Sequence, residues 1–370
     1  MTARLLNAMT RLPRKISSRC ISTLVGHAPH PQRSKPRHKA APPADNAQRQ
    51  AEIEQEMRLA RDIQQGLLLE AVPRLAGWEI SAVSLPARDL GGDLYDFLPL
   101  PKHQHGIMIG DVSGKGLPAA LRMAVARTVF RHEARRGTPP SVTLAGANRG
   151  VLSEVPQGMV TMLYAILDPR SGWMQIANAG HNYPLLMNGG NVQEVELSGL
   201  PLGVDADSEY KECGTVLQHG DTVVFYTDGV VEAINNNEEM YGYEQLVELL
   251  QRHSKRKPRA LVATLLQELR AWSQTDQSDD ITVVIVRRRL EGIGAELRSV
   301  ADDILGEERA AELWQLLDLP SQDAPVADWT QVLADLLRTV QEQYGRGLAR
   351  ELQSQMRLAL EEYREVPGDT

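Results

Sequence analysis

Cysteine, histidine and long apolar runs are all scarce in this 370-residue chain, and each scarcity excludes a class of protein. The two cysteines, Cys20 and Cys213, are far apart, so we expect neither a disulfide framework nor a thiolate metal site. No run approaches the roughly 18 apolar residues of a membrane-spanning helix. The net charge of −8 argues against nucleic acid as the main partner. This composition suits a protein of a reducing cytoplasm.

Acidic residues are absent from positions 1–44, which instead carry nine Lys or Arg and six prolines. A segment of this kind cannot bury much surface, so we predict a disordered, basic and proline-rich N-terminus over residues 1–50. Two alternatives fit the same composition. One is an organellar transit peptide, and the other is a start codon placed too far upstream. If residues 1–50 are a disordered tail and not a transit peptide, we expect the protein to be in the bacterial cytoplasm.

The apolar pattern that follows is helical. Residues 51–75 are predicted to form a linker or regulatory helix, because apolar residues recur at three- and four-residue spacing with charges between them. The apolar positions are Ile53, Met57, Ala60, Ile63 and Leu67. So narrow a stripe favours two roles equally, docking on the adjacent domain or forming a homodimer.

Short strand-like runs alternate with turns and four helical patterns over residues 76–290, which we predict to be one catalytic domain. Two hairpins are clear, one around residues 161–179 and one around the turn Asn188-Gly189-Gly190. The β-branched runs 222–226 and 281–287 are typical of buried central strands. Hairpins combined with helices indicate α+β layers and not a doubly wound parallel sheet.

Strand patterns end near residue 290, and residues 291–370 are predicted to be an all-helical C-terminal region. One helix is expected over 291–317 and a second, long helix over 327–365, with a kink near Gly345 and Gly347. Helices of this length rarely stand alone. We therefore expect them to pack together, to self-associate or to bind a partner.

Acidic residues stand at strand ends or tight turns in four separate motifs. The motifs are Gly91-Gly92-Asp93-Leu94-Tyr95-Asp96, Gly110-Asp111-Val112-Ser113-Gly114-Lys115-Gly116, Thr227-Asp228-Gly229 and Ser278-Asp279-Asp280. Carboxylates beside core strands are costly to desolvate unless a positive charge pairs with them. Only Lys115 and Arg88 are near in sequence, so divalent cations are the simplest partners. All-oxygen ligands with few histidines favour Mg²⁺ or Mn²⁺ over zinc.

These motifs, together with Ala179-Gly180-His181-Asn182, occur in the order found in a known family. The chain resembles the metal-dependent PPM-type serine/threonine phosphatases, and more narrowly their SpoIIE/RsbU-like bacterial branch, which controls sigma-factor partner switching. The resemblance covers roughly residues 51–290. It implies a β-sandwich of two antiparallel sheets flanked by helices, with two metal ions between the sheets at one end.

The resemblance also implies roles for individual residues. Asp111 and Asp228 would be catalytic ligands shared by the metals, with the backbone carbonyl of Val112 completing one coordination shell. Asp279 would be the final metal ligand, with Asp280 beside it where some relatives have Asn, and the resemblance leaves open which of the pair binds the metal directly. Asp93 would lie near the two metals or near a weaker third one. Asp96 is expected to brace the loop.

Two further side chains complete the expected site. His181 is a candidate to protonate the leaving seryl oxygen, and the alternative is a histidine that satisfies loop hydrogen bonds. Arg88, five residues before Asp93, is a candidate to bind the substrate phosphate, and the alternative is a solvated surface arginine.

The expected reaction is hydrolysis of phosphoserine or phosphothreonine by a water that the two metals activate. The resemblance implies that the substrate is a phosphorylated anti-sigma-factor antagonist of the STAS type. A catalytically weak, phosphatase-like scaffold that binds the same partners is the alternative. A nucleotide cyclase, suggested by Gly-Gly-Asp alone, is disfavoured because Leu-Tyr-Asp-Phe follows and because the later Asp motifs have no place in it.

Overall fold

The computed structural model describes residues 43–68, 72–75, 77–155, 158–273, 277–290, 292–321 and 324–364. The chain divides into two units, Met1–Gln50 and Ala51–Thr370. The basic tail expected over residues 1–50 lies almost wholly outside the described residues. The first helix, α1, spans Pro43–Leu68 and so begins earlier than the sequence pattern indicated.

Two five-stranded antiparallel sheets form the centre of the second unit. The first sheet has the order β1 (Trp78–Leu85), β10 (Ile281–Arg288), β9 (Thr222–Tyr226), β6 (Leu185–Asn188) and β7 (Asn191–Glu194). The second has the order β2 (Leu94–Pro99), β3 (His105–Val112), β4 (Val160–Leu167), β5 (Trp173–Ala179) and β8 (Glu212–Val216). The predicted fold class, a β-sandwich with flanking helices, is confirmed.

Side-chain alternation along the strands explains how the layers stack. Ile107 and Ile109 of β3 pack between the two sheets, whereas Met108 faces the opposite side. On β10, Val284 also lies between the sheets, while Val283 faces outward. Successive strand residues point to opposite faces, so a strand covered on both sides must be apolar throughout. This is why β3 and β10 read as unbroken apolar runs.

Helices cover both outer faces of the sandwich. The helices α2 (Leu117–Ala134) and α3 (Pro140–Glu154) pack on the outer face of the second sheet. The helices α4 (Gly242–Arg252) and α5 (Pro258–Trp272) pack on the outer face of the first. The connection from β3 to α2 is therefore a short turn, and it carries the Gly114-Lys115-Gly116 sequence.

The C-terminal region forms a separate apolar cluster of four helices. They are α6 (Ile293–Leu305), α7 (Glu307–Gln315), α8 (Val326–Tyr344) and α9 (Arg346–Arg364). The helix predicted over 291–317 is in fact a pair, so that expectation was wrong. The helix predicted over 327–365 is also divided, at the position near Gly345 where a kink was expected. The breaks fall at Gly306 (φ +84°) and Gly345 (φ +93°), a backbone region that glycine adopts readily and that ends an α-helix.

Candidate functional site

Asp111 lies at the end of β3, opposite Thr161 of β4 in the strand register. The loop before β2 approaches it closely. A Cβ atom at Gly92 would lie 2.6 Å from the Val112 carbonyl oxygen and 3.1 Å from Asp111 Oδ1. Only glycine therefore lets this loop pass over the end of β3, which explains the second glycine of the Gly-Gly-Asp motif.

Asp280 holds the same loop from the other sheet. Its Oδ1 accepts the backbone N–H of Ala87 at 2.7 Å, and its Oδ2 accepts those of Gly92 at 2.6 Å and Asp93 at 3.4 Å. A Cβ atom at Gly91 would lie 2.5 Å from that Oδ2. Both carboxylate oxygens accept backbone N–H groups, so Asp280 braces this loop.

Asp93, carried by this loop, is buried and its Oδ2 accepts a hydrogen bond from the Thr227 hydroxyl at 2.8 Å. Burial raises the pKa of Asp93 well above its ordinary value, and the negative charge of Asp111 raises it further. Thr227 comes from the end of β9, so this bond joins the two sheets. Asp93 is thus placed beside the other carboxylates and also has a structural partner.

Asp228 follows β9 in a short 3-10 turn, Asp228–Val230. The turn packs tightly on the start of β10, since a Cβ atom at Gly229 would lie 2.0 Å from the Asp280 carbonyl oxygen. Burial raises the pKa of Asp228, and the charge of Asp279 adds to the effect. The Thr-Asp-Gly motif therefore needs its glycine to bring Asp228 against the Asp279 loop.

Like charges surround Asp111. Burial is the main cause that raises the pKa of Asp111 to about 7, followed by the charges of Asp228, Asp279 and Asp280. Three carboxylates near the start of β10 and the end of β9 are therefore close enough to oppose the ionisation of Asp111. Shifts of this size in a cluster of like charges are typical of functional sites.

A cation site fits the chemistry of this cluster. The donors are all carboxylate or carbonyl oxygens, which hard divalent ions prefer, and such ions would offset the repulsion. Within the described ranges, however, no three His, Cys, Asp or Glu side chains are grouped closely enough to hold an ion. Asp279 is instead paired with Lys115, at 2.8 Å between Nζ and Oδ2. Asp111, Asp228 and Asp279 are the side chains whose chemistry fits such an ion.

His181 lies below the surface of the site. Its Nδ1 is 2.9 Å from the Thr161 hydroxyl oxygen, and Asn178 fixes its backbone through two hydrogen bonds of 2.8 and 2.9 Å. Burial lowers the pKa of His181 to about 4, although the backbone carbonyl of Tyr226 works against that shift. A buried neutral imidazole is poorly suited to protonate a leaving group at pH 7. The contacts with Thr161 and Asn178 also fit the alternative role, a histidine that satisfies loop hydrogen bonds, and the catalytic role stays a prediction.

Replacing His181 with Asn tests these two roles. We expect turnover of a phosphoserine peptide and of p-nitrophenyl phosphate to fall by the same factor, within about tenfold, because Asn still offers Thr161 a hydrogen-bond partner. A general acid would behave differently. Its loss would slow the peptide alone by roughly 10²–10⁴-fold, since p-nitrophenolate leaves without a proton. The measurement is kcat for both substrates across pH.

Arg88 and Asp96, the two other residues expected at the site, lie in different surroundings. Arg88 is exposed on the loop between β1 and β2, beside the N–H that binds Asp280. Asp96 lies inside β2 and pairs with Arg127 at 3.2 Å and Arg131 at 3.3 Å on α2. Asp96 therefore fastens α2 to the second sheet and does not join the carboxylate cluster.

Three contributors were missed by sequence reasoning. Glu232 joins the cluster, because burial and then the charges of Asp228 and Asp279 raise its pKa. The sequence feature that could have identified Glu232 is its spacing of four residues from Asp228. On α1, the Gln64 amide donates to the Gly91 carbonyl oxygen at 2.7 Å and accepts its N–H at 3.2 Å. The third is Lys115, which is near the acidic motifs in sequence but for which the sequence predicted no role.

No helix in the described part of the chain has the length and apolarity needed to span a membrane.

The sequence of this chain is similar to a known protein family and to characterised proteins. The family model described as Stage II sporulation protein E (SpoIIE) matches residues 101–289, about half of the chain. The phosphoserine phosphatase RsbU of Bacillus subtilis (strain 168) is 32% identical over 247 residues, covering 65% of this chain and 72% of RsbU.

Two solved structures are also similar. The RsbU and RsbW domains of Rv1364c from Mycobacterium tuberculosis superpose with a TM-score of 0.53 at 30% identity, covering 66% of this chain and 72% of that one. The SiaA-PP2C domain of Pseudomonas aeruginosa gives a TM-score of 0.59 at 22% identity, covering 65% and 98% respectively. At that identity the second likeness concerns the fold alone.

Proposed function

This chain belongs to the SpoIIE family of PP2C-type phosphatases, as its motifs predicted, and on that basis we propose that it hydrolyses phosphoserine and phosphothreonine in proteins. The observation that carries the proposal is the carboxylate cluster, in which the charges of Asp228 and Asp279 raise the pKa of Asp111 and the charge of Asp279 raises that of Asp228. The cluster stands in a chain that shares 32% identity with a phosphoserine phosphatase over 72% of that relative's length.

Asp111, Asp228 and Asp279 would hold two divalent cations, Mn²⁺ or Mg²⁺, with the Val112 carbonyl oxygen as a further ligand. Asp93 would lie next to them, near a weaker third ion. When bound, the ions supply an activated water and neutralise charge on the phosphoryl oxygens. The chain's own contribution is to hold the ligands on two different sheets and to fix the Asp93 loop through Asp280 and Thr227.

Arg88 would bind the substrate phosphate. The proposal is supported by its exposure and by its place on the loop that Asp280 braces. A guanidinium matches the oxygens of a phosphoryl group and keeps its charge at any working pH. Held on an exposed loop, it would contact a phosphorylated residue only as that residue enters the site.

The substrate class that we propose is a phosphorylated anti-sigma-factor antagonist of the STAS type, within a partner-switching pathway. Support comes from the relatives, which include RsbU and a chain that joins RsbU and RsbW domains. A homodimer through α1 or the C-terminal helices stays a prediction. On α1, Ile53, Leu59 and Ile63 are exposed, in keeping with such contacts.

A second candidate is a catalytically weak scaffold that binds the same partners. The specific observation in its favour is the ion pair of Asp279 with Lys115, which leaves that carboxylate engaged. Both candidates predict binding of the phosphoprotein, so only turnover separates them.

Metal-dependent turnover is the experiment that tests the proposed function. The full chain, stripped with EDTA, should not release phosphate from a phosphoserine peptide or from a phosphorylated STAS protein. Restoring Mn²⁺ or Mg²⁺ should restore release, because the ions supply the reacting water. Phosphate release is measured directly, and Ca²⁺ serves as a comparison ion. Binding of the phosphorylated STAS protein without phosphate release at any Mn²⁺ concentration would instead favour the scaffold.

A further inference from the structure

Lys115 lies in a loop of the second sheet and contacts a loop of the first sheet. It lies in the turn between β3 and α2, and its Nζ is 2.8 Å from Asp279 Oδ2 and donates to the Ser278 carbonyl oxygen at 2.7 Å. The partners are more than 160 residues apart in sequence. Two short contacts to one loop show that the ammonium has a defined position, although the side chain is 43% exposed.

The surroundings of the ammonium are acidic beyond its direct partner. Its positive charge opposes the rise in the pKa of both Asp228 and Glu232. It therefore lies where a positive charge lowers the repulsion among several carboxylates at once. This is the electrostatic task that a bound divalent cation would perform in the same cluster.

The turn that carries Lys115 has glycine on both sides of it. Gly114 and Gly116 flank it with φ values of +106° and +71°, and no atom lies within 4 Å of a Cβ at Gly116. Glycine takes such φ values without steric cost. The lysine stem adds four rotatable carbons, so the ammonium can leave Asp279 without disturbing β3 or α2.

We propose that Lys115 is a tethered cation that occupies Asp279 in the metal-free protein and must release it before that carboxylate can bind a divalent ion. Lysine and metal then compete for one carboxylate. Asp279 Oδ1 already accepts the N–H of Asp280 at 2.9 Å, so both of its oxygens are engaged in this state. The inference rests on the proposed metal site.

The test measures Mn²⁺ binding to the full chain by calorimetry and thermal unfolding, with no substrate present. Lys115→Met should bind Mn²⁺ at least fivefold more tightly than wild type. In EDTA it should unfold at a lower temperature, because the carboxylates lose their compensating charge. Lys115→Arg keeps the positive charge and should bind no more tightly than wild type. Arg122→Gln removes a charge from the same region and should change the affinity by less than twofold, since Arg122 contacts the Ser113 carbonyl oxygen instead.

Equal or weaker Mn²⁺ binding by Lys115→Met, with phosphatase activity present, would overturn the inference and leave the proposed function standing. A similar gain in affinity in Arg122→Gln would also overturn it, because net charge alone would then explain the change. Failure of every variant and of wild type to bind Mn²⁺ would overturn both the inference and the proposed function.

Discussion

Asp111→Asn is expected to lower the turnover of a phosphoserine peptide by roughly 10³-fold, about 4 kcal/mol at the barrier. The reason is that Asp111 would be shared by both metal ions, so an amide in its place weakens the ligation of each. The structure adds a second expectation. Burial, and then the charges of Asp228, Asp279 and Asp280, raise the pKa of Asp111 to about 7, so its ionised form destabilises the metal-free fold.

The sign of the stability effect follows from linkage. A carboxyl whose pKa is higher in the folded than in the unfolded chain costs stability as pH rises from its ordinary value of 3.8 to about 7. In EDTA, Asp111→Asn should therefore unfold at a higher temperature than wild type, and the difference should grow over that range and stay constant above it. A variant that loses activity and gains stability is difficult to explain as a folding defect.

The matched control is Asp207→Asn, which changes an exposed acid in the turn before β8. It should alter neither turnover nor the pH dependence of unfolding. Retention of activity by Asp111→Asn, or a lower unfolding temperature at pH 8 in EDTA, would contradict the role given to this carboxylate.

The fold was predictable where one local rule decided the outcome. The apolar run of β10 and the Asn-Gly-Gly turn between β6 and β7 were both identified from their residues, and the register pairs Asn188 with Asn191 as expected. Strands with mixed composition were missed. β2 contains the buried Asp96, and β8 alternates polar residues around Cys213, so neither has the continuous apolar pattern that predicts a buried strand. Their strand conformation depends on partners elsewhere in the fold.

The types of residue at the site could be predicted from the sequence, but the contacts between these residues could not. Acidic residues at strand ends could be recognised locally. The different contacts of Asp279 and Asp280, however, depend on a loop nearly 190 residues away, which Asp280 binds. The same limit applied to Lys115 and His181. Each acts through a partner in another motif, and a single sequence does not show which of several acids or hydroxyls will be that partner.

Glu296→Ala is expected to lower the free energy of unfolding by about 3–5 kcal/mol. Glu296 of α6 has a fully buried side chain and pairs with Lys257 at 3.1 Å and Arg287 at 3.3 Å. Glu79 pairs with the same two cations, at 3.1 and 3.0 Å. The buried Arg287 and the partly buried Lys257 are thus balanced by two acids, and removing Glu296 leaves positive charge without full compensation in a largely buried place.

The pH dependence identifies the ion pair as the cause. Burial alone would raise the pKa of Glu296, but Lys257 and Arg287 outweigh it and the pKa is lowered from its ordinary value of 4.5. The contribution is therefore complete above pH 4.5 and is lost as pH falls through the lowered value. Denaturant unfolding of wild type and of Glu296→Gln, which keeps the shape without the charge, should differ most above pH 4.5 and converge below it.

The same network decides how the C-terminal region relates to the catalytic domain. Arg287 belongs to β10, the strand that begins directly after Asp280, and Glu296 is the first acid of α6. Removing residues 291–370 would take away half of the negative charge that compensates Arg287 and Lys257. We therefore expect a chain that ends at residue 290 to be destabilised as Glu296→Ala is, and to regain stability if Lys257 alone is replaced by Met, because Arg287 and Glu79 then remain paired. If the truncated chain matches the full chain in stability, the buried ion pairs do not couple the helices to the sandwich.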